Sequence, residues 1–361
     1  MEGHQKLKDS NDKVLKACEI CNSNSMSIFQ EIGRSEEPGV YGSVPIKICH
    51  CCGFKMLNPR FQDEYYKDYY KQLYRKVAFG LETPSNDYIE QQKVRGKGVL
   101  SFVAEQNISP GKMLDHGCAS GFTMTSWIES QWECFGIDPH RPSVELGQRM
   151  GFNVKIASGE DVPFDDESFN LVLSLGSFEH SYNSHLTLRE VRRILMPSGY
   201  IMIRWRKNEL FGSPLEYYNH NHYRFFTPNS LAVLLYRYGF YKVASTDDDL
   251  EGWPSYSYLL VQKKDKLPTD EQFNEFLFQN KDDYEAEIEK IKAYRKDYFE
   301  RAKIFVQIYD KYKGNQSLIM KFIEDESFKW SFLGGKKQET LHRSLMEAEK
   351  YVRAYNINEV F

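Results

Sequence analysis

A doubly wound α/β fold with a mostly parallel sheet of seven strands is expected for this chain, and three observations predict it. Between Lys112 and Lys263, short apolar runs alternate with amphipathic stretches of helical period. A glycine-rich turn, Gly117 to Gly121, follows the first of those runs, and an acid, Asp138, closes the next. Outside this region the character changes: five of the seven cysteines fall in the first 52 residues, and the chain beyond Lys263 is polar and helical.

Strands are expected at residues 112–116, 133–138, 153–157, 169–175, 200–205, 242–246 and 257–262, with helices near 122–130, 142–150, 185–195 and 228–238. The last two strands have no room for a helix between them, so the sheet should end in an antiparallel hairpin. Residues 61–107 read as two helices. The first is tyrosine-rich, with five tyrosines between Asp63 and Lys76, and the second opens on a capping-type Asn86. The tyrosine rings suit a sugar face, although packing against the sheet is their expected duty. From Tyr284 the positions Ile288, Ile291, Tyr298, Ala302, Phe305, Tyr309 and Tyr312 follow a heptad, and a second amphipathic stretch spans residues 340–355. This extension is expected to form a helical hairpin or an arm joining two copies. The expected divisions are 15–60, 61–107, 108–264 and 265–361.

The 361 residues are 41% apolar and 27% charged, with a net charge of −4. That balance supports a full core and gives no broad electrostatic grip on nucleic-acid phosphate. No apolar run reaches the length of a membrane span, and the first residues lack the apolar core of a signal peptide, so a cytoplasmic setting is expected.

In a reducing compartment, closely spaced cysteines hold metals more often than disulfides. Cys18 and Cys21 form one CxxC, and Cys49 and Cys52 another. Four thiolates suit a structural Zn2+; an iron–sulfur cluster is the alternative use of the same ligands. A turn that wraps a metal needs left-handed backbone just past the second cysteine, and Asn22 and Gly53 stand there. Cys51 is left over as a non-ligand thiol.

The glycine-rich turn carries Ala119 where a dinucleotide fold would want glycine against the pyrophosphate. Asp115, just upstream, would repel a pyrophosphate but suits an amino-acid ammonium. Together they favour S-adenosylmethionine, with Asp138 accepting the ribose hydroxyls. Methyl transfer also needs a base when the acceptor is a hydroxyl or an acidic carbon. His180 is the first candidate, beside Glu179 in "SFEHS"; His222 is the second, in "YYNHNHYRFFT" with His220. Arg204, Arg206 and Lys207 in "IRWRKNELF" suggest an anionic small-molecule substrate.

The segments "LDHGCASGF", "GIDP", "GEDVPFDDESFNLVLSLGSFEH", "EVRRILMPSGYIMI" and "FFTPNSLAVLLYRYGF" resemble, in order and spacing, the motifs of class I S-adenosylmethionine-dependent methyltransferases, which have a Rossmann-like fold. The cysteines followed by "CGFKMLNPR" resemble the zinc-ribbon subgroup, many of whose members modify sugars or glycans in polysaccharide and natural-product pathways. The resemblance covers residues 15–263. It implies that Asp115, Gly117, Cys118, Ala119 and Gly121 surround the amino-acid end of the cofactor. Asp138 would hold the ribose and Pro139 the wall under the adenine. Glu160 and Asp161 would border the adenine edge, and Ser174 to Ser177 the methionine side. Two departures stand out: Ala119 replaces a glycine, and Asn170 an aspartate in "SFD", where strand geometry rather than chemistry should feel the change. An RNA or protein methyltransferase that uses the ribbon as a binding module is the alternative.

Overall fold

The computed structural model describes residues 14–32, 44–72, 84–206, 222–248, 250 and 256–311. The chain divides into two compact units, residues 1–206 with 220–282, and 207–219 with 283–361.

The first unit is built on the expected seven-stranded sheet. Its strands are β4 (Lys112–His116), β5 (Glu133–Asp138), β6 (Val154–Ile156), β7 (Phe169–Leu175), β8 (Leu195–Arg206), β10 (Phe240–Thr246) and β11 (Tyr256–Lys263). The order is β10-β11-β8-β7-β4-β5-β6. Pairs among β4 to β8 are parallel, whereas β11 runs antiparallel to both β8 and β10. The closing hairpin is therefore present. The chain leaves β4 in one direction towards β5 and in the other towards β7, so the crevice at the carboxyl ends of β4 and β7 is the topological switch point. Strand β8 begins at Leu195 rather than Tyr200, because the helix before it ends at Ile194 and the chain enters the sheet with no loop.

Alternate strand residues face opposite layers. Leu114, Ile137, Val172, Ile201 and Ile203 pack into one core with α5 (Ser184–Ile194) and α6 (Pro228–Arg237). Met113, Leu171, Leu173, Met202 and Leu260 pack into the other with α2 (Asn86–Glu105) and Trp127 of α3 (Thr125–Glu129). Helix α4 (Arg141–Arg149) follows β5, and its Gly147 lies so close to the glycine-rich turn that a Cβ there would meet the Ser120 carbonyl at 2.6 Å. Ser85, not Asn86, caps α2: its hydroxyl accepts from the Tyr88 N–H, leaving Asn86 as the first helical residue. The expected helix 122–130 splits into a 3₁₀ turn, Phe122–Met124, entered from left-handed Gly121, and α3, the junction lying at Met124 (φ −76°, ψ −9°). Asn170 serves strand geometry, accepting the Lys112 N–H at 2.8 Å and so tying the starts of β7 and β4.

Ahead of the sheet, β1 (Met26–Ile32), β2 (Val44–Cys49) and β3 (Lys55–Leu57) form an antiparallel ribbon. Its fourth strand, β9 (Arg224–Phe225), comes from far downstream, between β8 and α6. The ribbon is no separate body. Cys18, Ile20, Cys49, Cys52, Phe54 and Met56 belong to the same core as α5 and α6. Helix α1 (Asp63–Gln72) buries Tyr65, Tyr66 and Tyr69, which accounts for most of the tyrosine run; Tyr74 lies outside the described residues. Helix α7 (Asp270–Asn280), opened by a Thr269–Gln272 capping box, belongs to this unit as well.

In the second unit, α8 (Tyr284–Lys311) carries the heptad positions from Ile288 to Tyr309 on one continuous helix. Tyr312 and residues 340–355 lie outside the described residues. Among the described residues, no helix is long and apolar enough to cross a membrane.

Candidate functional site

At the switch point the chain leaves β4 through Gly117 (φ +83°), Ala119 (φ +50°) and Gly121 (φ +84°). Three left-handed residues in five fold the turn back under β5, where the Gly117 and Cys118 N–H groups both reach the Ile137 carbonyl. Gly117 has no alternative: a Cβ there would lie 2.4 Å from that of Ser177. Ala119 occupies a conformation that favours glycine, at a cost of about 1 kcal/mol, and is held there by its N–H, which donates to Asp138 Oδ2 at 2.9 Å. Cys118 is buried beneath the turn, and Gly136 makes room for its sulfur.

Asp138 is half-buried at the end of β5. Its Oδ1 accepts the His140 N–H at 2.8 Å, so both carboxylate oxygens are anchored by backbone and keep lone pairs for a ligand. Gly117 and Pro139 are both exposed beside it. Asp115 is the opposite case. It is 2% exposed, and its Oδ2 has no hydrogen-bond partner. Burial pushes its carboxyl up to about 7, against the opposing pull of Arg95 on α2. A buried carboxyl with an unused oxygen is a receptor for a cation.

Ser174 is buried across the crevice, 2.7 Å from the Ser177 hydroxyl. Ser177 donates to the His116 carbonyl at 2.5 Å and lies 3.2 Å from His116 Nδ1. Burial holds the His116 imidazole below its ordinary pKa. Nothing in the local pattern singles out His116, since a polar residue ending a strand reads as surface. Glu160, half-buried, turns its carboxylate to the Asn183 N–H at 2.7 Å, and Asp161 is exposed.

Past β7, Glu179 and His180 lie in a 3₁₀ turn, Phe178–His180. Glu179 is 6% exposed, with Oε2 unpartnered. The His180 and His222 rings meet edge to face, centroids 4.5 Å apart, and Tyr70 of α1 sets its hydroxyl 2.8 Å from His180 Nδ1. The structure thus brings together Glu179, His180 and His222 with their ligating atoms within 4.8 Å of one another. Such a group can take and pass a proton, or hold a divalent cation. Tyr70 escaped the sequence because its three tyrosine neighbours are core. His220 and Lys207 lie outside the described residues. Arg204 is buried, its guanidinium 3.6 Å from the centre of the Tyr256 ring and donating to the Leu175 carbonyl at 2.9 Å, so part of the expected anion-binding capacity is spent inside the fold.

The four cysteines converge as expected. Cys18 and Cys52 sulfurs lie 3.5 Å apart, Cys21 and Cys49 likewise, and all four within 4.8 Å of one another. Ligands of a tetrahedral Zn2+ at about 2.3 Å stand about 3.8 Å apart, whereas a disulfide needs about 2.05 Å, so the donor set fits a metal. Asn22 (φ +60°) and Gly53 (φ +67°) supply the left-handed positions, and Cys51 is exposed outside the cluster. The double mutant Cys49→Ser/Cys52→Ser is expected to lose about one equivalent of metal per chain by mass spectrometry. It should keep its affinity for S-adenosylhomocysteine, because the glycine-rich turn rests on the other core. A second equivalent, lost on His222→Ala, would instead put a cation on the histidine pair.

Between Cys18 and Cys21 sits a buried carboxylate that the sequence reading did not single out. Glu19 accepts from Arg60 Nη2 at 2.7 Å, Arg224 Nη2 at 3.1 Å, Ser184 Oγ at 2.8 Å and Arg224 Nε. Burial pushes its carboxyl up, but Arg224 and Arg60 outweigh that and hold it down at about 2.

Comparison with known proteins places a family described as "Methyltransferase domain" on residues 114–203. A probable tRNA methyltransferase 9B of Bos taurus is 31% identical over 109 residues, which are 29% of this chain and 23% of that protein. Phthiotriol/phenolphthiotriol dimycocerosates methyltransferase 1 of Mycobacterium ulcerans is 34% identical over 96 residues, 22% of this chain and 34% of that protein. The chain thus spans about a quarter to a third of the length of these relatives. Among solved structures, Burkholderia thailandensis 1,6-didemethyltoxoflavin-N1-methyltransferase is similar at 18% identity and a TM-score of 0.45, covering 59% of this chain and 95% of that one.

Proposed function

We propose that this chain, which carries an S-adenosylmethionine-dependent methyltransferase domain, methylates a small molecule of the sugar, nucleotide-sugar or glycan-precursor class. The observation that carries the cofactor half is the pair of acids at the switch point: Asp138, anchored beside the left-handed turn to receive the ribose, and Asp115, buried with an oxygen to spare for the ammonium. S-adenosylmethionine, when bound, supplies an electrophilic methyl on a sulfonium. Everything else falls to the protein: aligning the acceptor with that methyl, excluding water and taking the acceptor's proton. His180, held by Tyr70, is the first base, and His222 the second, with Glu179 beside them. Zn2+ on Cys18, Cys21, Cys49 and Cys52 has a closed shell and a structural duty. The acceptor class rests on the zinc-ribbon motif and on Tyr70 of α1, which stands beside His180. Pairing of two copies through α8 completes the proposal.

An RNA acceptor is the second possibility, favoured by the relatives named for tRNA and opposed by the net charge of −4. The test is S-adenosylhomocysteine release from S-adenosylmethionine on a panel of nucleotide-linked sugars, beside total RNA with and without ribonuclease. Turnover on a sugar supports the proposal; turnover only on intact RNA replaces its acceptor.

A further inference from the structure

The two candidate bases come from segments far apart in the chain, one after β7 and one before β9. Something must hold their rings 4.5 Å apart. Immediately after His180 come Ser181 and Tyr182, and immediately after His222 come Tyr223 and Arg224. The fully buried Arg224 guanidinium donates through Nη1 to the Ser181 carbonyl and through Nη2 to the Tyr182 carbonyl at 3.3 Å. The Tyr223 N–H donates to the Glu179 carbonyl at 3.1 Å. The two histidine segments are thus laced together by the residues that follow them.

Arg224 is itself aimed from the ribbon. Its strand pairs with β3, Met56 opposite Arg224, and Glu19 accepts from its Nε and Nη2. The same carboxylate takes the Ser184 hydroxyl, at the first residue of α5 and four residues past His180. Arg60 supplies the fourth donor and lies over the rings of Tyr182 and Tyr223, 5.0 and 5.5 Å from their centres. Glu19 therefore has all four acceptor sites filled, by Arg224 of the ribbon sheet, Arg60 just past β3 and Ser184 of α5 together.

We infer that Glu19 and Arg224 are positioning residues for the methyl-transfer site: the cysteine knuckle aims Glu19, Glu19 aims Arg224, and Arg224 fixes the spacing of His180 and His222. The ribbon then serves as a jig for the acceptor side rather than as a binding module. This rests on the proposal that these histidines handle the acceptor's proton, but the geometry can be tested without any acceptor.

The test uses full-length, metal-loaded protein labelled with ¹⁵N/¹³C-histidine, with the two ring signals assigned from His180→Gln and His222→Gln. Wild type should show a ring-to-ring nuclear Overhauser cross-peak between His180 and His222. Arg224→Lys keeps the charge but cannot span a carboxylate and two carbonyls, and should lose that cross-peak. Its bound metal and its affinity for S-adenosylhomocysteine should stay within about twofold of wild type. Ser184→Ala, a milder change that keeps both charges, should weaken the cross-peak in the same direction, and Ser184→Thr should restore it. If Arg224→Lys fails to fold, the Ser184 pair carries the test. An unchanged cross-peak in folded Arg224→Lys, or in both Ser184 variants, overturns the inference. A lost cross-peak in a protein that methylates nothing on the panel leaves the positioning standing and sinks the proton-handling role instead.

Discussion

Asp115→Asn is expected to stabilise the ligand-free protein while removing most of its hold on the cofactor. Burial raises the Asp115 carboxyl from its ordinary 3.8 to about 7, so the native state binds this proton more tightly than the unfolded chain does. Between roughly pH 4 and pH 7 the unfolded chain ionises first, and each step upward in pH costs the native state stability. Above about pH 7 the full cost, about 4 kcal/mol, is present. Asn cannot ionise and escapes it. Denaturant unfolding at pH 4 and pH 8 should show wild type losing stability relative to the variant by that order; parallel curves would contradict a buried, ionising Asp115. In calorimetry the variant should bind S-adenosylhomocysteine about a hundredfold more weakly, the loss of one charge-assisted contact. The proposed cationic ligand would offset this unfavourable group, as perturbed groups at functional sites often require.

Glu19→Gln should act in the opposite sense. Two arginine cations would remain buried with their shared counter-charge removed, and a broken buried pair of this kind costs about 3–5 kcal/mol. A fall in Tm of about 10 °C at pH 7 is expected. The pH dependence has its own sign. The carboxyl is lowered from 4.5 to about 2, so its contribution is complete above about pH 5 and is lost as the pH falls towards 2. Wild type should therefore lose stability across that acid window by about 3 kcal/mol relative to the variant. A Glu19→Gln variant with wild-type Tm at pH 7 would mean that Arg60 and Arg224 need no partner. Because Glu19 lies between Cys18 and Cys21, two of the four proposed ligands, the same variant should also release bound metal more readily to a chelator.

Much of the cofactor side was written locally. Glycine and asparagine enter left-handed backbone most readily, so Asn22, Gly53, Gly117 and Gly121 could be placed from the residue types, and all four have positive φ; Ala119, at φ +50°, could not. Strands β4, β5 and β7 matched their expected bounds to the residue because each is an apolar run closed by a turn. The cap of α2 was misplaced by one residue, since Ser85 and Asn86 are both good caps and only the backbone angles choose between them.

The acceptor side was legible only in part. Glu179, His180 and His222 could be nominated as residue types near strand ends, but their meeting depends on β9 crossing to the ribbon sheet, and two residues are too few to carry a strand pattern. By itself the sequence determined the doubly wound sheet, the glycine-rich turn with its two acids and the pairing of the cysteines as two CxxC turns, because periodicity and backbone preference act over a few neighbouring residues. Only the tertiary structure decided that Tyr70 meets His180 and that Glu19 meets Arg224 across 205 residues. A buried charge is tolerated wherever a distant partner neutralises it, and no local pattern announces where that partner will be.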